Sequence, residues 1–246
     1  MEPGRTSVST TPVQERISAA GPRTLAAGGF ELLEGAGFAA LKPEWDELWQ
    51  RASGEYLMQT HDWAAVTLAN PPDARPRRAC CVVGWRSGRI DAIWPFVVYS
   101  NNRWRVATTI AAEWGDYTSP LVEDGPDLPG RTRAAWEAAR RLVRADLFDL
   151  RFVRESTPLH PVIAADPAPK ETLYQLEAPW IALKDYRSWE DYWHGIDPAH
   201  RRDLGRKGRR LAEQGRLEIH EITDQARGRE LIDWMIENKR IWLDHV

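Results

Sequence analysis

The residues best suited to contact a small polar molecule form one short loop, Trp-Gly-Asp-Tyr at positions 114–117. Gly115 permits an unusual backbone turn, and the carboxylate of Asp116 can accept hydrogen bonds from hydroxyl or amino groups. Trp114 and Tyr117 add flat apolar faces. The same residues also fit an Asx-type turn that only joins two strands, with Tyr117 packed inward. Trp114, Asp116 and Tyr117 are therefore candidate substrate contacts, and both interpretations stay open.

Two arginines form a second candidate group. Arg151 lies within the predicted strand 147–153, and Arg154 follows it directly. The carboxyl end of a parallel strand is where α/β proteins bind ligands, and a guanidinium can clamp a carboxylate or a phosphate. Surface pairing with Asp149 or Glu155 is the structural alternative.

The sequence lacks the common marks of metal, nucleotide and hydrolase chemistry. Its six histidines show no HxxxH or HExxH spacing, and its two cysteines are adjacent instead of forming paired motifs. It contains no Walker or dinucleotide-type glycine-rich loop, and no GxSxG nucleophile elbow. We expect no metal site, and the sequence identifies no general base.

A strongly basic segment, residues 201–216, contains seven Lys or Arg among sixteen positions. Asp197 can cap a helix there, Pro198 suits its first position, and Gly215 is expected to end it in the left-handed conformation. A solvated helix face is the ordinary interpretation of such a run, and binding of an anionic polymer is the functional alternative. Because the whole chain has a formal charge of -3, we expect no nucleic-acid partner.

The elements that must position these residues follow in a clear order. Apolar periodicity and turn residues predict a strand, two helices, a three-stranded antiparallel meander, a strand, a helix and a final strand. The predicted positions are 30–33, a helix opening at 43, 56–70, 79–85, 89–99, 103–110, 118–122, 131–145 and 147–153. The last strand–helix–strand order implies a parallel crossover joined to the meander. We therefore predict an α/β (α+β) domain over residues 30–155, with a mixed, mostly antiparallel sheet flanked by helices.

The rest of the chain divides into a tail, a linker and the start of a second domain. Residues 1–29 are rich in Ser, Thr, Pro, Gly and Ala, and we expect a disordered tail. Residues 156–171 are proline-rich with little periodicity, which predicts a linker with at most one short turn of helix. The elements predicted in residues 172–246 are a strand at 172–183, a helix capped by Ser188, the basic helix, a strand at 217–222 and a helix at 224–246. Their order echoes the first domain and breaks off before a meander, so we expect an incomplete second domain.

Composition indicates a soluble, cytoplasmic protein. The chain is 43% hydrophobic with a mean hydropathy of -0.52. Its longest apolar run, residues 93–99, contains Pro95 and is too short for a membrane span. No apolar segment of a signal peptide follows the first residues. Cys80 and Cys81 are expected to alternate across a strand as reduced thiols, and most of the 13 tryptophans are expected in packed positions.

Several strings resemble the GNAT superfamily, in particular the cellulose-biosynthesis-associated acetyltransferases, which have two tandem GNAT-like domains as the Fem-type peptidyltransferases do. These strings are YLMQTHDWAAV at 56–66, IDAIWPFVV at 90–98, Gly115-Asp116-Tyr117, RRDLGRKGRRLAEQGRLEIHEIT at 201–223 and Asn238-Lys239-Arg240. The resemblance extends over residues 30–246. It implies a GNAT-like first domain and a C-terminally truncated second GNAT-like domain.

The resemblance implies acyl transfer from acetyl-CoA or another acyl-CoA to an amine on a sugar or cell-envelope precursor. Asp116 and Tyr117 would orient this small-molecule acceptor, and Arg151 or Arg154 would hold an acidic group on it. In the family, backbone N–H groups at a helix N-terminus bind the donor's pyrophosphate, often within a Q/R-x-x-G-x-G/A loop. The corresponding residues 124–133 (DGPDLPGRTR) do not match that loop, so no donor-binding residue is identified.

A non-catalytic binding or assembly module of the same ancestry is the alternative function. An incomplete second domain leaves unpaired strand edges, and it leaves Trp234 and Trp242 without a full core. Such a surface favours association with another chain, including a second copy of this one. Binding of acetyl-CoA would distinguish the enzyme from the module.

Overall fold

The computed structural model of the chain describes residues 29–52, 56–216 and 218–245. The predicted tail, residues 1–29, lies outside the described residues except for Gly29. The chain divides into two compact units, one up to Lys170 and one from Glu171 onward. Among the helices of the described ranges, none combines the length and the apolar character that a membrane span requires.

A six-stranded sheet forms the centre of the first unit. Its strands are β1 (Phe30–Glu34), β2 (Arg77–Arg86), β3 (Arg89–Asn101), β4 (Trp104–Thr109), β5 (Leu121–Val122) and β6 (Leu147–Asp149). The strand order is β1-β2-β3-β4-β6, and β5 pairs with β3. All pairs are antiparallel except β4 with β6, which is parallel. The predicted α/β class with a mixed, mostly antiparallel sheet is confirmed.

Helices flank this sheet. They are α1 (Ala36–Ala39), α2 (Lys42–Trp49), α3 (His61–Ala69), α4 (Ala111–Trp114), α5 (Leu128–Leu142) and α6 (Leu159–Ala164), with a 3-10 turn at Leu57–Gln59. Pro43 lies in the first turn of α2, where its missing N–H costs nothing. The Thr60 side chain caps α3 by accepting from the Trp63 N–H. Helix α5 lies between β4 and β6 in sequence and supplies the predicted crossover.

Side chains of the sheet alternate between two hydrophobic cores. In β2, Cys80 and Val82 pack on the side that α5 covers, while Cys81 and Val83 pack on the side of α2 and α3. Both cysteines are buried and unbridged. Burial raises the pKa of the Cys80 thiol to about 11, so this group stays protonated and unreactive near neutral pH.

Three boundaries in the first unit differ from the sequence pattern. Strand β6 ends at Asp149 instead of 153, because Phe152 takes a left-handed conformation with φ of 56° and breaks the extended run. Strand β5 contains only Leu121–Val122. The predicted linker contains helix α6, whose Leu159 and Val162 are buried in the core, so the first unit continues to Lys170.

The second unit is helical in its described residues. Its elements are a 3-10 turn at Leu183–Asp185 and the helices α7 (Trp189–Gly195), α8 (Pro198–Gln214) and α9 (Gln225–Leu243). The side chains of Ser188, Asp197 and Asp224 each accept hydrogen bonds from amides of the first turn. The three helices that the sequence predicts here are confirmed.

The two strands predicted in the second unit are wrong for the residues described there. Residues 172–183 and 218–222 are not assigned to a strand, and Leu217 lies outside the described residues. A strand needs backbone hydrogen bonds from a neighbour, and no described residue of this unit provides them. Gly215 is extended, with φ of 161° and ψ of -177°, so the predicted left-handed cap of α8 is also wrong. That residues 172–246 begin a second GNAT-like domain stays a prediction.

Candidate functional site

The candidate site lies at the carboxyl ends of the two parallel strands. Strands β4 and β5 both pair with β3, so they follow the same edge of β3 and are separated by residues 110–120. Strand β6 pairs with β4 over three residues, 147–149. The segments that follow β4 and β6 meet where the Thr118 N–H donates to the Phe152 carbonyl at 3.3 Å.

Tyr117 and Arg154, one from each segment, meet at Tyr56, and we call these three residues the tyrosine–arginine cluster. The ring centroids of Tyr56 and Tyr117 lie 5.0 Å apart. The guanidinium carbon of Arg154 lies 5.1 Å from the Tyr117 ring centre and 5.6 Å from that of Tyr56. Arg154 Nη1 donates to the Tyr56 hydroxyl at 3.0 Å. All three residues are half-buried, so the charge of Arg154 is held in place between two rings.

The backbone at Tyr117 is unusual for an aromatic residue. Its φ of 65° lies in the left-handed region, which residues with a Cβ rarely adopt unless their surroundings hold them there. The ring of Tyr56 and the guanidinium of Arg154 provide that support. Beside them, the buried hydroxyls of Thr109 and Thr118 share a hydrogen bond of 3.1 Å, which joins the end of β4 to the loop.

Trp114 and Asp116, the other residues of the predicted loop, lie outside the tyrosine–arginine cluster. Trp114 is 56% exposed, and its indole N–H donates to the backbone carbonyl of Asn70, the residue after α3, at 2.7 Å. Asp116 is exposed to solvent. The role expected of Gly115 is wrong, because its backbone is ordinary and extended. The glycine is needed for space instead, since a Cβ there would lie 2.8 Å from the Ala111 carbonyl oxygen.

Arg151 belongs to a different feature, which we call the arginine cleft. This cleft has a volume of about 190 Å³ and is lined by Pro72, Asp73, Arg75, Arg77, Tyr99, Thr108, Glu113 and Arg151. Arg151 Nη2 lies 2.7 Å from Asp149 Oδ2, which is the surface pair that the sequence offers as the structural alternative. The two candidate arginines therefore have different surroundings.

Ion pairs organise the arginine cleft. Arg77 is 11% exposed in its side chain, donates from Nη2 to Asp73 at 2.8 Å, and pairs through Nη1 with Glu113. Arg75 Nε donates to Asp73 at 2.7 Å, and its guanidinium lies 4.6 Å from the Tyr99 ring centre. Donation from Arg75 and Arg77 holds the pKa of the Asp73 carboxyl well below its usual range. Asp73 therefore stays ionised throughout the ordinary pH range.

The sequence pattern does not predict the arginine cleft. Its members come from the loop before β2, from β2, β3, β4 and α4, and from the segment after β6, so only the tertiary fold brings them together. One local signal is present. Asp73 lies two residues before Arg75 and four before Arg77, and its carboxylate accepts from the Arg75 backbone N–H at 3.0 Å, so this part of the cleft is formed by residues close in sequence.

The N-terminus of α5 does not fit the pyrophosphate that the resemblance would assign to it. The Asp127 carboxylate lies against the first turn, since a Cβ at Gly130 would overlap it. Arg86 Nη2 holds this carboxylate at 2.6 Å. Pro129 removes one amide donor from the turn. An anion binds at a helix N-terminus through free backbone N–H groups, and here a carboxylate is already present and one N–H is missing. We therefore assign no acyl-CoA contact to this helix.

Metal ligands do not cluster in the part of the chain that the structure describes. Among those residues, no group of three or more His, Cys, Asp or Glu is arranged to hold a metal ion.

A comparison with models of protein families finds no match, and a comparison with curated proteins finds none either. Among solved structures, the chain is similar to a ribosomal-protein-alanine N-acetyltransferase from Brucella melitensis biovar Abortus 2308, with 13% identity and a TM-score of 0.36. That similarity covers 61% of this chain and 98% of the other. It is also similar to a glucosamine-6-phosphate N-acetyltransferase from Arabidopsis thaliana, with 11% identity, a TM-score of 0.29, and 60% and 99% of the two chains covered. Scores this low do not establish a shared fold or a shared activity.

Proposed function

We propose that this chain is an acyltransferase of the GNAT type, and that its first unit is a GNAT-like domain that binds the acceptor. The arrangement of the sheet supports this proposal. Strands β4 and β5 pair with β3 along the same edge and leave a gap between them, and β4 pairs with β6 in parallel over only three residues. The carboxyl ends of parallel strands are where sheets of this kind bind ligands. Tyr117 and Arg154 come from the two segments that follow these strands.

The acceptor in this proposal is an amine on a sugar or cell-envelope precursor that also carries an acidic group. Arg154 contacts the acidic group, because a half-buried guanidinium binds carboxylates and phosphates through two parallel hydrogen bonds. Tyr117 offers a ring face to the sugar, and the exposed Asp116 carboxylate accepts from a hydroxyl or the amine. Arg151 is the less suitable arginine, since Asp149 already occupies one side of its guanidinium at 2.7 Å.

The donor in this proposal is acetyl-CoA or another acyl-CoA, acting as a co-substrate in the cytoplasm. When bound, such a donor supplies an activated thioester to the attacking amine. Because the N-terminus of α5 does not fit a pyrophosphate, we assign no donor contact to the first unit. We also infer that residues 172–246 form the first part of a second GNAT-like domain, as the string at 201–223 suggests.

Calorimetric titration of the full chain with acetyl-CoA tests this function. We expect saturable heat of acetyl-CoA binding. We also expect acyl transfer to an amino sugar that carries a carboxylate or a phosphate. No heat at millimolar acetyl-CoA would count against the enzyme. The acceptor site is tested by Arg154→Gln, which should raise KM for the acidic acceptor at least tenfold and leave the affinity for acetyl-CoA unchanged. The same change at Arg151 should leave that KM unchanged.

A second candidate is the non-catalytic module, and two observations favour it. The carboxylate of Asp127 lies at the helix terminus that would otherwise bind a donor. In the second unit, Trp234 and Trp242 are 63% and 53% exposed, although tryptophan is highly buried on average in folded proteins. Sedimentation at rising concentration separates the candidates, because a module that associates through these side chains forms dimers that Trp234→Ala weakens.

A further inference from the structure

We propose that the acidic group on the acceptor is a carboxylate, and that Tyr56 orients Arg154 to bind it through two parallel hydrogen bonds. This inference rests on the acyltransferase function proposed above, because the carboxylate belongs to the acceptor of that reaction. It adds Tyr56 as a positioning residue, and it narrows the acidic group from a carboxylate or a phosphate to a carboxylate.

The guanidinium of Arg154 is half-buried and forms no ion pair with a described residue. Its Nη1 donates to the Tyr56 hydroxyl at 3.0 Å, whereas its Nε and Nη2 donate to no described residue. Neither of these two nitrogens belongs to the buried, unpaired polar atoms of the described chain, so each keeps surface that a ligand can contact. A partly buried charge without a counterion is uncommon in folded proteins, and an anionic ligand supplies the missing partner.

The two nitrogens without a partner form one edge of the guanidinium. An N–H of Nη2 points parallel to the N–H of Nε, and this spacing matches the two oxygens of a carboxylate. Among the described residues, Arg154 is the one cation that contacts the rings of Tyr56 and Tyr117. A phosphate monoester brings three oxygens and a charge of about -1.5 to -2, which is more than one edge and one cation match.

The sequence places negative charge around the tyrosine–arginine cluster. An acidic residue adjoins each of its three members, namely Glu55, Asp116 and Glu155. Consecutive Cα atoms are only about 3.8 Å apart, so these carboxylates belong to the surroundings of the site. They repel a second negative charge on the ligand, which again favours a carboxylate over a phosphate.

Tyr56 is held firmly enough to direct Arg154. Its backbone N–H donates to Gln59 Oε1 at 2.9 Å, and Gln59 Nε2 donates to the Ser119 carbonyl at 3.1 Å. Gln59 is buried, and its own carbonyl accepts from the Trp45 indole N–H at 2.7 Å. The Tyr56 hydroxyl is therefore a fixed acceptor for Nη1, and this bond sets the direction of the edge that Nε and Nη2 form. An arginine that is oriented before the ligand arrives loses less freedom on binding.

Ligand-observed NMR titration of the full chain with three sugars tests this assignment. The sugars are D-glucuronate, D-glucose 6-phosphate and D-glucose, which share one ring and differ in the acidic group. We expect saturable glucuronate binding with a dissociation constant on the order of millimolar. Glucose 6-phosphate and glucose should each bind about tenfold more weakly.

Tyr56→Phe tests the positioning role, because it keeps the ring and removes the hydroxyl that holds Nη1. The dissociation constant of glucuronate should rise about tenfold, the loss expected for one hydrogen bond to a charged group. Glucose 6-phosphate should bind as before, so the preference for glucuronate should fall to about one. A purely structural role would weaken both ligands equally and leave that preference unchanged. Arg154→Lys keeps the charge without the two parallel donors, and it should remove the preference as well.

Tyr117→Phe is the matched control. Tyr117 contacts Tyr56 and Arg154 through its ring, and its hydroxyl bonds to no described residue. This variant should therefore bind glucuronate as the parent does. The proposal is overturned by absence of glucuronate saturation at tens of millimolar, by equal or tighter binding of glucose 6-phosphate, or by a Tyr56→Phe protein that keeps the parent's preference.

The acetyl-CoA titration separates failure of this inference from failure of the proposed function. Glucuronate binding without heat from acetyl-CoA would keep the carboxylate site and count against the enzyme. Heat from acetyl-CoA together with a preference for glucose 6-phosphate would keep the enzyme and overturn the carboxylate assignment.

Discussion

The two units of the chain use the same kinds of local signal and reach different degrees of burial. The first unit buries large side chains on both faces of its sheet, including Trp45, Trp94 and Phe96 at 1% exposure or less. In the second unit, no described residue is buried. Its helices still form, since each begins at a side chain that caps the first turn. Helices need only local partners, whereas a core and a sheet need residues that are distant in sequence.

The largest difference between the units is expected for tryptophan replacement. Trp45 is 1% exposed, packs against Phe38 and His61, and donates its indole N–H to the Gln59 carbonyl at 2.7 Å. Trp45→Ala should lower the free energy of unfolding by about 3–5 kcal/mol, because it leaves a cavity and an unpaired carbonyl. Urea unfolding followed by circular dichroism measures the loss.

The matched change in the second unit is Trp234→Ala, at a side chain that is 63% exposed. It should change the free energy of unfolding by less than about 0.5 kcal/mol. A loss of several kcal/mol would show that this ring is buried in solution, by a second copy or by its own unit. The contrast between the units would then fail.

A glycine in each unit should respond to the same substitution with opposite sign. Gly115→Ala in the first unit places a Cβ 2.8 Å from the Ala111 carbonyl oxygen, and we expect a loss of about 1–3 kcal/mol. Gly208 lies inside α8, where an added Cβ would meet no described atom within 4 Å, so Gly208→Ala should stabilise the helix by about 1 kcal/mol. Chemical denaturation measures the first change and helical circular dichroism the second. Two changes of equal sign would contradict the difference in packing.

The difference between local partners and partners distant in sequence also explains which elements the sequence predicts. The helices capped by Thr60, Ser188 and Asp197 follow from signals within a few residues, and all three are present. The meander follows from period-two patterns interrupted by turns, and it is present as well. Residues 172–183 carry a similar apolar pattern but have no strand beside them in the described chain, so the pattern alone misleads.

For the candidate site too, the sequence predicts individual residues but not the contacts between them. The sequence identifies Tyr117 and Arg154 separately, and their contact depends on the meeting of two segments that no local pattern encodes. The sequence pattern indicates Tyr56 only as part of a helix, although its hydroxyl binds Arg154 at 3.0 Å. Thr108 gives no signal, because a threonine in a strand is common and only the fold reveals that its hydroxyl is unpaired among the described residues.

Removal of a helix cap should have a smaller and local effect in the second unit. Asp197 Oδ1 accepts from the amides of Ala199 and His200 at 2.8 and 3.0 Å. Asp197→Ala should destabilise α8 by about 1 kcal/mol, and amides of its first turn should exchange about fivefold faster with solvent. Glu213→Ala, an exposed change in the same helix, is the control and should leave exchange there unchanged. Faster exchange in the first unit would contradict a purely local role.

The smallest expected effect concerns the titration of two carboxyl groups. The partner of Asp146 is distant in sequence, whereas the partners of Asp203 lie in the same helix. In the first unit, donation from the Arg105 side chain and backbone N–H lowers the pKa of Asp146 to about 2, across 41 residues of sequence. In the second unit, donation from Arg206 and Lys207 lowers the pKa of Asp203 to about 2 within one helix. Because each folded pKa lies below the usual 3.8, the stabilisation is complete above that pH and is lost as the pH falls towards 2.

Carboxyl-carbon NMR distinguishes the two. Arg105→Gln should return the pKa of Asp146 towards 3.8 and make unfolding of the first unit less dependent on pH between 4 and 2. Urea that unfolds the first unit should have the same effect on Asp146, because its partner is then far away. Asp203 should instead follow the helicity of α8, since its partners are three and four residues along the same helix. If Asp203 titrates together with the unfolding of the first unit, its ion pairs depend on long-range contacts, and the second unit is less locally determined than its exposed surface suggests.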